Sequence, residues 1–76
     1  MFNELDTVVL AHDIAKYKLK AGDLGTVVHS YRKGKAMEVE FVAASGRTIA
    51  LLTLKPEDVR PMKNHEILHV RGFAAA

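Results

Sequence analysis

Two short basic runs carry the residues best suited to chemistry. Lys16, Lys18 and Lys20 alternate through one segment around Tyr17, and Arg32, Lys33 and Lys35 follow directly after Tyr31. Cationic groups beside aromatic rings suit phosphate backbone, stacked bases or an acidic protein segment. Against this, lysines on loops are by default simply solvated, and Glu38 and Glu40 dilute the field nearby.

The remaining polar residues offer less. His65 and His69 flank Glu66 and would share a face if their segment were helical, as a metal site requires. In a strand the same spacing holds the two imidazoles too far apart to chelate. His12 and His29 have no partner close in sequence, so no metal site is expected. Ser30 and Ser45 lack the setting of an activated nucleophile. Asp13, Asp23, Glu57 and Asp58 read as loop or cap carboxylates that bond locally. The chain is therefore read as non-enzymatic, with no cofactor.

The elements that position these residues follow a period of two rather than 3.6. Met37-Glu38-Val39-Glu40-Phe41 is the clearest alternation, with Met37, Val39 and Phe41 on one face and both glutamates on the other. That is an antiparallel strand with one dry face. Thr7–Leu10 and Gly25–Tyr31 are β-branched runs of the same kind, separated by a long loop over 11–23 that ends at Gly22-Asp23. Arg32 to Lys35 reads as a hairpin turn. Arg47 to Leu54 forms a fourth strand with few polar positions, which predicts a central place in the sheet. Pro56-Glu57-Asp58 then suits one helical turn, and Val59-Arg60-Pro61 a short closing strand.

About five short antiparallel strands at such spacing predict an all-β fold, a small SH3-like barrel whose closure removes exposed edges. In that arrangement the two basic loops flank one groove. Residues 1–61 make the barrel and 62–76 a C-terminal extension. Ile67 to Val70 reads as an appended strand or turn, and Gly72 with Ala74 to Ala76 as frayed.

Composition sets the outer limits. At 76 residues, 49% hydrophobic and 26% charged, the chain is one small globular domain. A chain this short buries only roughly 60% of the surface its unfolded form exposes. With no cysteine, disulfides cannot compensate for that thin core. A net charge of +2 is modest for a dedicated nucleic-acid binder. The acidic start, Met-Phe-Asn-Glu-Leu-Asp, lacks a signal-peptide core, and Ile49 to Leu54 is far below the ~20 residues a membrane helix needs. A cytoplasmic location is expected.

Leu5 to Leu10, Leu19 to Val28, Glu38 to Phe41, Gly46-Arg47-Thr48 and Val59-Arg60-Pro61 together resemble a family of short bacterial proteins catalogued as a domain of unknown function. The resemblance spans roughly Phe2 to Arg71. It implies an SH3-like all-β domain with no established activity, and a partner protein encoded by an adjacent gene. Gly22-Asp23-Leu24-Gly25-Thr26-Val27 also resembles the start of the KOW motif and the barrel of the nitrile hydratase β subunit. Such a motif encodes barrel geometry and says little about ligands. Unlike peptide-binding SH3 domains, the chain has no Trp, so proline-rich ligands are not expected.

The function expected is a small interaction module, accessory or antitoxin-like, that binds another protein. The alternative is RNA or DNA binding by a KOW-like barrel. The groove residues for either are Lys16, Tyr17, Lys18, Lys20, Tyr31, Arg32, Lys33 and Lys35. Ile67, Leu68, Val70 and Phe73 would serve association through the tail, with a partner or in a homodimer.

Overall fold

The computed structural model of the chain describes residues 2–73. Five strands, β1 (Thr7–Leu10), β2 (Leu24–Tyr31), β3 (Ala36–Val42), β4 (Thr48–Leu54) and β5 (Val59–Pro61), form one antiparallel sheet in the order β4-β3-β2-β1-β5. Short 3-10 turns lie at Ala15–Tyr17, Arg32–Gly34 and Pro56–Asp58, and there is no α-helix among the described residues. The all-β class, the strand count and the turn before β5 are as the sequence pattern predicts, and they are consistent with an SH3-like fold. Among the described residues no helix is long and apolar enough to cross a membrane.

The period-two pattern explains the core. In β3, Met37, Val39 and Phe41 are buried while Glu38 and Glu40 stay half-exposed. They join Val8, Leu10, Val27, Ala50, Leu54 and Val59 in one cluster, closed on one side by Leu19 from the first loop. β2 curves the sheet. Its first half pairs with both β1 and β3, and a register shift between Val27 and His29 turns its second half toward β3 alone. Gly25, in the first half of β2, lies close against β3: a Cβ there would lie 2.6 Å from Val39 Cγ1 and 3.0 Å from the Phe41 ring.

Two expectations are corrected. The fourth strand is not central: among the described residues β4 pairs only with β3, so it is an edge, and no ladder there closes the sheet between it and β5. Its apolar run reflects partial burial of Ile49 and Leu52 against the core, while Leu51 on the other face is 55% exposed. Second, Ile67 to Val70 is neither strand nor helical turn; the extension is irregular apart from a turn at Asn64-His65. Of the residues expected to fray, Ala74 to Ala76 lie outside the described residues. Gly72 is described, and it lines a cavity with Lys18, Lys20 and Phe73.

The extension also accounts for β1. Val8, Val9 and Leu10 are all buried, yet Val9 stands apart from the core cluster. It faces a shallow cavity lined with Leu24, Met62, Glu66 and Leu68, so the tail covers the outer face of β1. A strand covered on both faces reads as a continuous apolar run, which Val8-Val9-Leu10 is.

Candidate functional site

Each basic loop is shaped by backbone that few residues adopt. In the first loop, Ile14 and Leu19 bridge across a 3-10 turn, and Lys18 takes a left-handed φ of 58° to close it. The Asp13 and Asp23 carboxylates accept from the Ala21 and Lys20 amides, both at 2.8 Å, which fixes the rest of the loop. In the β2–β3 turn three successive residues, Arg32, Lys33 and Gly34, have positive φ. Arg32, Lys33 and Lys35 all point to solvent there.

The groove residues divide into two groups. Lys18 and Lys20 line a cavity of about 420 Å³ with Asp13, Leu19, Arg71 and Phe73, so the tail completes it, and no residue of the β2–β3 turn lines it. Lys16 holds its ammonium 5.6 Å from the centre of the Tyr17 ring. Tyr31 packs edge-on against His29, centroids 4.5 Å apart, and its hydroxyl donates to Glu38 at 3.4 Å. Glu38 also accepts from Thr53, and Glu40 from Thr48 at 2.7 Å. The two tyrosines thus have separate, internal partners.

The tail is clasped at both ends. Arg60 donates two hydrogen bonds to the Glu66 carboxylate, which also accepts the Lys63 amide at 2.7 Å. The fork from Arg60 first, then the Lys63 amide, hold the Glu66 carboxyl down at about 2. At the far end Arg71 donates to both Asp23 oxygens, at 2.8 and 2.6 Å, and to the Lys18 carbonyl at 3.2 Å. The Arg71 hydrogen bonds hold Asp23 below the usual carboxylate range. Bidentate guanidinium–carboxylate pairs fix orientation as well as distance.

Between these clasps and just beyond Arg71 the apolar residues part company. Phe73 packs against the core beneath the Arg71 guanidinium, and Leu68 reaches toward Val9. Ile67 and Val70 are 93% and 91% exposed. The family model for a domain of unknown function, DUF4926, matches residues 4–61 of the chain. The chain belongs to this family. The resemblance read in its strand and turn residues is borne out at that level, and the DUF4926 match ends at the last residue of β5. The clasped tail follows the matched segment. No curated protein and no solved structure matches the chain.

Sequence reasoning missed the residues that hold this DUF4926 chain's tail. Asp23 and Arg71 are 48 positions apart, and nothing in their local setting signals the pairing. Arg60 and Glu66 are six apart and were within reach of a charge-pairing argument. Among the described residues no group of three His, Asp or Glu side chains is placed to hold a metal ion.

Proposed function

We propose that this DUF4926 domain is a non-enzymatic interaction module, an accessory or antitoxin-like protein of the bacterial cytoplasm. Its tail would present Ile67, Leu68 and Val70 to another protein. One observation supports the reading above others: two almost fully exposed aliphatic side chains lie in a segment tied at both ends by bidentate ion pairs. Ordering a segment beforehand lowers the entropic cost of binding, and exposed aliphatic groups gain most from burial. The test is co-purification with the product of the adjacent gene, comparing the full chain with an Ile67→Asp/Val70→Asp variant. The wild type retains that protein and the variant loses it. Equal retention by both overturns the reading.

A second reading, RNA or DNA binding, draws support from the exposed Arg32, Lys33 and Lys35 on one turn. Glu38 beside Tyr31 weakens it, because a carboxylate repels the phosphate that would follow a stacked base. Titration of labelled single- and double-stranded nucleic acid at two salt concentrations separates the readings. Binding with a steep salt slope favours the second, and no binding at low salt removes it.

A further inference from the structure

The two edges of the sheet are treated differently. β5 is three residues long and ends at Pro61, both features that prevent further strand pairing. β4 is longer, and its one irregularity is a bulge at Ile49 near its start, which leaves the stretch from Ala50 onward as an open edge. Thr48-Ile49-Ala50-Leu51-Leu52-Thr53-Leu54 contains no charge and no proline, and its register with β3 is regular from Ala50 to Leu54. Among the described residues, its only backbone partner is β3, so the outward amides and carbonyls of alternate residues have no strand beside them. The neighbouring carboxylates are also drawn aside: Thr53 and Thr48 bind Glu38 and Glu40 over the face of β3 and β4.

We propose that β4 is a homodimer interface, pairing antiparallel with β4 of a second copy to give one continuous ten-stranded sheet. A two-fold contact requires a surface complementary to itself. This strand meets that condition when the axis lies at Leu51. Leu51 then faces its own copy and Ala50 faces Leu52 of the other strand, with no charge opposed along the regular part of the strand. The half-exposed Leu51 becomes covered, and the open row of backbone groups is satisfied. Arg47 and Lys55 meet only at the two ends, where long side chains reach water. Their repulsion makes added salt tighten the dimer. The surface is separate from the tail, so this inference stands independently of the partner proposed above.

The experiment is sedimentation equilibrium of the full chain up to about 1 mM, a range that reads weak association. The wild type moves from 8.4 kDa toward twice that mass with rising concentration. Leu51→Lys and Leu51→Glu each weaken association about tenfold or more, because each sets like charges against each other at the axis. Mixing the two variants restores it, since Lys then faces Glu. Circular dichroism and thermal melts check that both variants are folded, as expected for a substitution at an exposed position. A wild type that stays at 8.4 kDa throughout overturns the proposal. So does a dimer that neither Leu51 variant weakens, or one lost only in Ile67→Asp/Val70→Asp. Partner capture unaffected by the Leu51 variants leaves the tail reading intact and separates the two outcomes.

Discussion

His12 Nε2 lies 2.8 Å from Asp58 Oδ1, and this contact ties the first loop to the turn that precedes β5. The other ring nitrogen, Nδ1, lies 3.0 Å from the Asp13 carbonyl oxygen. With an acceptor at each nitrogen, the ring is best satisfied as an imidazolium donating twice. The hydrogen bond to Asp58 is the largest cause of the raised His12 pKa, followed by that to Asp13. On Asp58, burial pushes upward, but the hydrogen bonds from His12 and the Lys55 amide outweigh it and hold the carboxyl low.

The sign of the pH effect follows. His12 contributes stability fully below its ordinary value of 6.5 and loses it as pH rises through its higher folded value. Asp58 contributes above its ordinary 3.8 and loses that contribution in acid. The melting-temperature difference between wild type and His12→Gln should therefore be greatest between these values and shrink toward pH 8. Thermal melts across that range check it; a constant difference from pH 5 to 8 would show that the pair does not form.

Glu66 gives a sharper reading of the tail. Its carboxyl is held at about 2 against an ordinary 4.5, so its contribution is present above 4.5 and lost as pH falls toward 2. Carbon-detected NMR titration should find this carboxyl well below the ordinary 4.5. A midpoint near 4.5 would mean that Arg60 does not hold the tail in solution.

Gly25→Ala tests the close approach of β2 to β3. The new methyl would meet Val39 and Phe41, both buried and hemmed in by the core. Overpacking of this kind costs about 1–3 kcal/mol. Urea unfolding should show a lower midpoint at unchanged slope. A midpoint equal to wild type would place the β2 crossing further from β3 than described.

Lys33→Gly should have the opposite effect. Lys33 has φ 56° and ψ 41°, a left-handed conformation that costs a side-chain-bearing residue about 1 kcal/mol. Glycine removes that strain but is more flexible when unfolded, so a gain of about 0.5 kcal/mol is expected. Chemical denaturation measures it. A clear loss would mean that the turn adopts another shape.

The fold was legible where one strand face is wet and the other dry. Met37 to Phe41 alternates cleanly because β3 has partners on both sides and solvent on one face. β4 misled for a physical reason: an apolar run ordinarily signals burial on both faces, and here it signals an uncovered edge instead. Asp23 and Asp58 were read as local loop and cap acceptors, and they do accept the Lys20 and Lys55 amides. Their second partners, Arg71 and His12, come from positions that only the folded sheet brings near. Composition and spacing carry no trace of such contacts.

The pairing of Val8 with Pro61 has a consequence for how the chain reaches its fold. β1 is synthesised first, yet one of its two neighbours is the last strand to emerge. Contacts of such long sequence separation form late and raise the folding barrier. The hairpin of β2 and β3, joined by the four residues Arg32 to Lys35, is local and suited to an early nucleus. Until β5 arrives, one side of β1 has no strand beside it, and the emerging polypeptide is open to capture by chaperones or by other nascent chains.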